Sequence, residues 1–251
     1  MMDSTSLQNW ADDLFNARQS NSPKPALKLD NVSSADAYQV QKKLIDRVGG
    51  EIAGYKAGLT NKAIQQKHGA DEPAGGILLA DTKIEIGAVI SRQELITPRI
   101  ETEIGFVIAT DIEHPIELED FTSKLSHWQP MIELVDMGFS SQPNLTDIIA
   151  SNVVAGRFLQ SDFRHDVSMA NEATVSFYKD NELLHEGRAT DALGDQIQTA
   201  CWIVNHMLSR GNPVRSGYVL MTGALGVTHP GDPGSYRADY GEFGSIDFEI
   251  A

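Results

Sequence analysis

The first 50 residues carry the apolar spacing of two amphipathic helices. In the first, the apolar residues recur every three or four positions and therefore share one face: Leu7, Trp10, Ala11, Leu14 and Phe15. The second pattern lies within "SSADAYQVQKKLIDRVGG", residues 33–50, with Ser34 as a candidate N-cap and the two final glycines as the stop. The pattern predicts a small N-terminal helical subdomain over residues 1–50.

From residue 51 onward, the chain consists mainly of short apolar runs with the length and composition of β-strands, bounded by Gly, Pro and Asp. Helical patterns are few among them, at about 60–67, 117–125, 143–150 and 192–209. Because strands and helices do not alternate regularly, the pattern favours an α+β fold with a mixed or antiparallel, curled sheet over a doubly wound one. We therefore predict a β-rich domain over residues 51–251.

The composition excludes several classes of partner. Thirty-five acidic and 20 basic residues give a formal net charge of −15, which repels nucleic acid and anionic membrane surfaces. No segment reaches the roughly 18 apolar residues of a membrane span, and the N-terminus has no signal-peptide pattern. The single cysteine, Cys201, cannot form an intramolecular disulfide. We expect a cytoplasmic protein that binds neither nucleic acid nor membranes.

The stretch "PRIETEIGFVI", residues 98–108, has strand character but carries three charges in its first half. Successive side chains of a strand alternate between faces, so Arg99, Glu101 and Glu103 share one face. Two adjacent carboxylates at the start of an apolar strand repel each other and lose hydration unless a cation lies between them. The alternative is a solvated strand end whose carboxylates pair with Arg99.

A third carboxylate lies in the apolar run "PMIELVD", residues 130–136. Alone, Glu133 is compatible with an exposed position on an edge strand. Together with Glu101 and Glu103 it supplies a third oxygen ligand. Three carboxylates without cysteine or histidine are typical of Mg²⁺ or Mn²⁺ sites.

Lys56 lies between glycines and small apolar residues in "GYKAGLTNKAIQQKHG", where Leu59 and Thr60 lead into a short helix. Its side chain could extend along apolar surface to reach solvent. In a metal site, the same ammonium could neutralise a substrate carboxylate or enolate, or transfer a proton with a lowered pKa. Nucleophile elbows, phosphate-binding loops, dinucleotide fingerprints and zinc-protease motifs are absent from the sequence.

Five stretches, in this order and at these separations, resemble the 2-keto-4-pentenoate hydratase and 4-oxalocrotonate decarboxylase family, within the fumarylacetoacetate hydrolase superfamily: "SADAYQVQ", "GYKAGLTNKAIQQKHG", "PRIETEIGFVI", "PMIELVD" and "VLMTGAL…PGD…GSIDFEI". The resemblance implies a helical N-terminal part and a C-terminal β-roll. It also implies an Mg²⁺ or Mn²⁺ ion held by Glu101, Glu103 and Glu133, with Lys56 as the active-site lysine. The implied substrate is a small 2-oxo acid with a 4,5-unsaturated chain from aromatic meta-cleavage, which can chelate a metal through its carboxylate and keto oxygens.

The chain departs from the family pattern at two places beyond the metal site. The family's Asp-Asn-Ala-Ser-Ser-like run is Ser151–Ala155 here, so that only Asn152 remains and the serine hydroxyls are lost. The family's Pro-Asp-aromatic-Gly is residues 73–76, "PAGG", which lacks the acid-base aspartate, and Asp81 is a candidate replacement. We assign catalysis to Lys56 and Asp81. Substrate binding is assigned to four residues: Leu59, Thr60, Arg99 and Asn152.

Four functions are compatible with this resemblance. The first is a hydratase of 2-hydroxypenta-2,4-dienoate-like substrates. The second is decarboxylation of a 4-oxalocrotonate-like diacid, which favours a second cationic group that the sequence does not identify. The third is acylpyruvate hydrolysis, although the His-Glu pair usual in such hydrolases is absent from the matching region. The fourth is a divergent, weakly active or non-catalytic partner subunit. A homo-oligomer and association with a pathway enzyme are expected from the family.

Overall fold

Two β-sheets and six α-helices make up the described part of the chain, residues 2–27, 29 and 32–251 of a computed structural model. The helices are α1 (Ser4–Gln19), α2 (Ser34–Val48), α3 (Lys62–His68), α4 (Leu118–Phe121), α5 (Leu145–Ala150) and α6 (Gln196–Leu208). None of these helices is long and apolar enough to cross a membrane.

The larger sheet has eight strands, in the order β2-β1-β10-β5-β6-β7-β3 with β11 beside β5. They are β1 (Ile52–Gly58), β2 (Ala74–Leu79), β3 (Lys83–Ile84), β5 (Pro98–Ile108), β6 (Leu125–Asp136), β7 (Arg157–Gln160), β10 (Val219–Met221) and β11 (His229–Pro230). The smaller sheet has the order β4-β13-β12-β8-β9. Its strands are β4 (Val89–Ile90), β8 (Thr174–Lys179), β9 (Glu182–Arg188), β12 (Gly234–Asp239) and β13 (Ser245–Ile250).

Both sheets are mixed. The pairs β1/β10, β3/β7 and β4/β13 are parallel, and the other paired strands are antiparallel. Across residues 2–27, 29 and 32–251, helices and strands do not alternate regularly and no doubly wound parallel sheet forms. The predicted α+β class with a mixed sheet is confirmed.

The antiparallel pair β5/β6 forms the centre of the larger sheet, with a register from Pro98 opposite Asp136 to Ile108 opposite Leu125. Apolar side chains from both sheets and from α6 form one core, among them Ile104, Phe106, Ile132, Phe177, Val204 and Phe248. The two strands that carry the candidate ligands therefore lie in the most buried part of the fold.

The N-terminal helices pack on the β-rich part through a second apolar core. Helices α1 and α2 share this core with α5 and with Ala74 of β2. The N-cap of α2 is Ser33, one residue before the predicted Ser34, because Ser33 and Asp36 form a reciprocal capping box. Gly49, at φ +69°, ends the helix as predicted. The domain boundary at residue 50 stays a prediction.

Two local predictions differ from the structure. The apolar run "NVVAGRFLQ", residues 152–160, has the length and composition of a strand, but its first three residues, Asn152, Val153 and Val154, lie in the left-handed region with φ of 63°, 51° and 53°. The strand β7 begins only at Arg157. The strand β9 was not predicted, because it lies at an edge of the smaller sheet and its sequence is largely polar.

Candidate metal centre

Three glutamates converge at the centre of the larger sheet. Glu101 on β5 is directly opposite Glu133 on β6, and Glu103 lies two residues further along the same face of β5. One carboxylate oxygen from each residue lies within 4.8 Å of the others. Glu103 and Glu133 are 0% and 1% exposed, whereas Glu101 is half-buried. The solvated strand end considered from the sequence is therefore wrong.

Two of these buried oxygens lack a hydrogen-bond partner among the described residues. Glu103 Oε2 accepts from the Gly223 backbone N–H at 2.7 Å, but Glu103 Oε1 and Glu133 Oε1 accept none. Leaving a buried carboxylate oxygen unpaired is unfavourable by about 1–3 kcal/mol or more. A metal ion would provide the missing partner, so the donor set fits a hard divalent cation.

Lys56 of β1 lies against this cluster with only 1% exposure. Its Nζ donates to Glu133 Oε2 and, at 3.3 Å, to the backbone oxygen of Val153. Burial alone would lower the pKa of Lys56, but Glu133, Glu101 and Glu103 raise it above its usual value. Lys56 therefore keeps its proton near neutral pH, contrary to the lowered-pKa alternative considered from the sequence.

Burial raises the pKa of both inner carboxyls. The pKa of Glu103 lies well above its usual range because of burial and the neighbouring Glu133 and Glu101. Burial raises the pKa of Glu133 to about 7, even though Lys56 opposes this shift. The raised pKa values show that full ionisation of this cluster is unfavourable without a bound cation. With all three carboxylates ionised and Lys56 protonated, the charge would be −2 (three negative, one positive), which a divalent cation neutralises.

Two supporting residues were missed by the sequence analysis. Gly223, at φ +108°, brings its N–H to Glu103, and a Cβ there would lie 2.2 Å from Thr60 Oγ1. The Tyr240 hydroxyl donates to the backbone oxygens of Glu103, at 2.8 Å, and Met131, at 3.0 Å. It thereby ties β5 to β6 beside the ligands. Neither residue had a signal in the sequence, because each acts through contacts with distant segments.

A cavity of about 610 Å³ opens above this cluster. Five of the predicted site residues line it: Lys56, Leu59, Thr60, Arg99 and Glu101. Much of the remaining wall is apolar and includes Val135, Met137, Ile148, Val153 and Val154. The volume suits a small organic acid.

The same cavity carries basic groups that sequence reasoning did not identify as a second cationic site. Lys67 and His68, at the end of α3, line it together with Arg99. Burial and the neighbouring Lys67 lower the pKa of His68, so this imidazole is neutral at neutral pH. Arg99 and Lys67 are therefore the positive charges at the rim. The fold brings them within one cavity although α3 and β5 are far apart in sequence.

Two predicted site residues lie elsewhere. Asp81 is exposed in the turn after β2 and does not line the cavity, so its catalytic assignment is not supported. The side chain of Asn152 is occupied by backbone contacts: Oδ1 accepts from Ile77 N and Nδ2 donates to Ile77 O, both at 2.8 Å. Asn152 therefore fixes the left-handed turn to β2, and it is not among the residues that line the cavity.

Sequence comparison finds relatives that match most of the chain. No protein-family model matches it. The 2-keto-4-pentenoate hydratase of Burkholderia vietnamiensis (strain G4) is 28% identical over 258 residues, which cover 98% of each chain. The 4-oxalocrotonate decarboxylase of Pseudomonas sp. (strain CF600) is 26% identical over 219 residues, 84% of this chain and 83% of that protein.

Structure comparison establishes the same fold. The 4-oxalocrotonate decarboxylase from Pseudomonas putida G7, complexed with magnesium and adipate, has a TM-score of 0.94 at 23% identity and covers 100% of this chain and 99% of its own. Fumarylpyruvate hydrolase from Pseudomonas aeruginosa, in complex with Mn²⁺ and pyruvate, has a TM-score of 0.60 at 12% identity, over 80% of this chain and 90% of its own. The resemblance predicted from the sequence is confirmed: this chain is a homologue of the 2-keto-4-pentenoate hydratases and 4-oxalocrotonate decarboxylases, with the fold of the fumarylacetoacetate hydrolase superfamily.

Proposed function

We propose that this chain is a metal-dependent hydratase that adds water to a 2-hydroxypenta-2,4-dienoate-like (2-keto-4-pentenoate) substrate. One observation carries the proposal: a protonated, buried lysine lies beside three clustered carboxylates, and two of these four residues, Lys56 and Glu101, line a cavity sized for a small acid. The relatives named 2-keto-4-pentenoate hydratase support the same reaction.

Glu101, Glu103 and Glu133 would hold Mg²⁺ or Mn²⁺, the ions that suit an all-carboxylate donor set. A bound divalent ion supplies Lewis-acid stabilisation of the negative charge that develops on the oxygens of a 2-oxo acid. The protein's part is to fix the three carboxylates. The β5/β6 register, the Gly223 N–H and the Tyr240 hydroxyl do this.

Lys56 holds a proton at Nζ and a positive charge beside the cavity. That charge attracts the carboxylate of a 2-oxo acid and stabilises its enolate. The apolar wall around it, including Val153 and Val154, limits the access of water to this end of the substrate. Lys56 thus orients the acid end, while water adds further along the chain.

Addition of water also needs a group that exchanges protons near the distal end of the substrate. With Asp81 outside the cavity, His68 takes this role in our proposal. It is the one histidine among the residues that line the cavity, and its neutral imidazole can accept a proton at neutral pH. His68 lies on α3, whereas the carboxylate cluster lies on β5 and β6, so the two groups belong to different elements of the fold.

A second candidate function is decarboxylation of a 4-oxalocrotonate-like diacid. The basic rim favours it, because Arg99 and Lys67 could bind a second carboxylate. The relative named 4-oxalocrotonate decarboxylase and the neighbouring structure complexed with the dicarboxylate adipate point in the same direction. Under this alternative, the substrate differs, but the carboxylate cluster would still hold the metal ion and Lys56 would still bind the acid end of the substrate.

One assay distinguishes the two functions. The purified protein is incubated with Mg²⁺ or Mn²⁺ and offered 2-hydroxypenta-2,4-dienoate or 4-oxalocrotonate, while dienol absorbance and CO₂ release are followed. Glu103→Gln should abolish either activity, whereas Glu249→Gln, an exposed change on β13, should leave it unchanged. Consumption of the dienol without CO₂ supports the hydratase, and CO₂ release supports the decarboxylase. Turnover of neither substrate, or full activity of Glu103→Gln, contradicts both.

Assembly and location are part of the same proposal. We expect a homo-oligomer that acts in the cytoplasm and associates with a pathway enzyme. Light scattering of the purified protein tests the first expectation. Co-purification with the neighbouring enzyme of the pathway tests the association.

A further inference from the structure

One wall of the cavity is the segment from Ala224 to Thr228, which follows β10. Ala224, Gly226, Val227 and Thr228 all line the cavity. Thr228 also holds the rim arginine: Arg99 Nε donates to Thr228 Oγ1 at 2.9 Å, and Arg99 Nη2 donates to Thr228 O at 2.8 Å. The orientation of the Arg99 guanidinium therefore depends on where this wall lies.

His185, on β9 of the smaller sheet, reaches both sides of this wall without lining the cavity. Its Nε2 lies 3.0 Å from the backbone oxygen of Leu225, and its Nδ1 lies 2.8 Å from Nε2 of His229. A carbonyl oxygen can only accept, so His185 carries its proton on Nε2 and accepts at Nδ1. His229 Nε2 must then donate. The two hydrogen bonds hold Leu225, within the wall, and His229, directly after it.

Two glycines permit the close approach that these bonds need. A Cβ at Gly187 of β9 would lie 2.3 Å from Leu225 O. A Cβ at Gly226, which has φ +92°, would lie 2.7 Å from Cδ2 of His185. Side chains at these positions would push the wall away from β9. The contact between the smaller sheet and the cavity wall thus depends on the two glycines as well as on the hydrogen bonds of His185.

We propose that His185 is a positioning residue of this active site, which sets the orientation of Arg99 through Leu225, His229 and Thr228. The inference rests on the second candidate function, in which Arg99 binds the second carboxylate of a dicarboxylic substrate. Backbone bonds to β5 also hold Leu225, whose N–H donates to Thr102 O at 2.7 Å. No backbone bond is found among the described residues for the N–H groups of the three residues between Leu225 and His229. The side-chain contacts therefore decide how this part of the wall lies.

His185→Phe tests the proposal, because it keeps an aromatic ring and removes the bonds to Leu225 and His229 together with a longer contact, 3.3 Å, from Nε2 to Thr102 Oγ1. We expect KM for the dicarboxylic substrate 4-oxalocrotonate to rise about tenfold, with kcat within about twofold of the parent. The inhibition constant of its saturated analogue 2-oxoadipate, used as a competitive ligand, should rise by the same factor. His185→Gln, which can still donate to Leu225 O, should recover part of the affinity. His165→Phe is the matched control, since His165 is also half-buried and bonds one backbone oxygen, that of Phe243, with no link to the cavity.

A double-mutant cycle separates positioning from general destabilisation. If His185 acts through Arg99, then His185→Phe should cause no further loss of ligand affinity in an Arg99→Ala background. Hydrogen–deuterium exchange of the peptide 224–230 gives a readout that needs no turnover. We expect the bonded amide of Leu225 in this peptide to exchange about tenfold faster in His185→Phe and at the parent rate in His165→Phe.

The outcomes separate this inference from the proposed function. An equal affinity loss in both backgrounds, or unchanged exchange in residues 224–230, overturns the role of His185. Failure of the parent protein to turn over or bind any 2-oxo acid overturns the proposed function instead. In that case the exchange experiment alone decides whether His185 positions the wall.

Discussion

Lys56 and Glu133 form a buried ion pair whose side chains are each 1% exposed. The pair joins β1 to β6 beside the cavity that Lys56 lines, and its carboxylate also belongs to the proposed metal site. Removal of both charges from water is unfavourable, so the pair persists only because each charge compensates the other. The same residues therefore couple the stability of the fold to its proposed chemistry.

Replacement of Lys56 by methionine, which has a similar shape, should lower the free energy of unfolding by about 3–5 kcal/mol in metal-free buffer. The reason is that Glu133 would remain buried beside two other carboxylates without its cationic partner. Urea unfolding followed by circular dichroism measures the change. Lys42→Met is the control, because Lys42 forms an exposed pair with Asp46 and should change stability by less than about 0.5 kcal/mol. Equal losses in the two variants would contradict the buried-pair interpretation.

Binding of Mg²⁺ or Mn²⁺ should stabilise the folded state, by about 2.7 kcal/mol at a metal concentration 100 times Kd. Glu103→Gln should reduce or remove this stabilisation, since it replaces one proposed ligand while keeping its shape. Thermal unfolding with metal and with a chelator measures the difference. In Glu249→Gln the metal-dependent rise in Tm should equal that of the parent. A rise of full size in Glu103→Gln would place the metal elsewhere.

His68→Gln should lower kcat by about 10²–10⁴-fold if His68 transfers the distal proton. Metal-dependent stabilisation should be unchanged, because His68 lies on α3 and is not one of the clustered ligands. Steady-state kinetics together with the metal-dependent Tm measure both effects. His114→Gln, a change in a histidine that is exposed and outside the cavity, serves as the control. Wild-type kcat in His68→Gln would assign proton transfer to another group.

The carboxylate cluster could be predicted from the sequence because its signals lie within short stretches of the chain. Glu101 and Glu103 share a face by strand alternation alone, and each candidate glutamate stands in an apolar run. The α+β class followed in the same way from irregular apolar runs. What the sequence could not fix was the pairing of β5 with β6, which places Glu133 directly opposite Glu101. Only the resemblance to a family suggested that the two segments meet.

The two assignments that the structure does not support concern residues whose surroundings depend on distant partners. Asn152 looked available for substrate, yet Ile77, 75 residues away, uses both ends of its amide. Asp81 looked like a replacement acid, yet the turn after β2 leaves it in solvent. The second cationic group was missed for the converse reason, since Lys67 and Arg99 are far apart in sequence and line one cavity only in the folded chain. Local patterns carry no information about such long-range contacts.

Asn152→Leu should lower the free energy of unfolding by about 2–4 kcal/mol. The substitution leaves the N–H and the oxygen of Ile77 buried without partners and places a branched residue at φ 63°. Asn181→Leu is the matched control, because Asn181 has a similar φ of 68° but is exposed and makes no side-chain hydrogen bond among the described residues. This control isolates the backbone contribution, at about 1 kcal/mol. A loss in Asn152→Leu no larger than in the control would refute the anchoring role.

His206 should make the protein less stable as the pH falls below its ordinary pKa of 6.5. Burial and the nearby Arg210 lower the pKa of His206 to about 3, and its Nε2 has no partner among the described residues. Below pH 6.5, His206 is therefore protonated in the unfolded chain but stays neutral in the folded state. The free energy of unfolding decreases from that pH toward pH 3. At about pH 5 the loss is about 2 kcal/mol, from 1.5 pH units at 1.36 kcal/mol each. His206→Phe preserves an aromatic ring beside Trp202. Urea unfolding at about pH 7.5 and at about pH 5 should show that the variant loses less stability between these pH values than the parent does. An equal loss in the two proteins would contradict the role of His206.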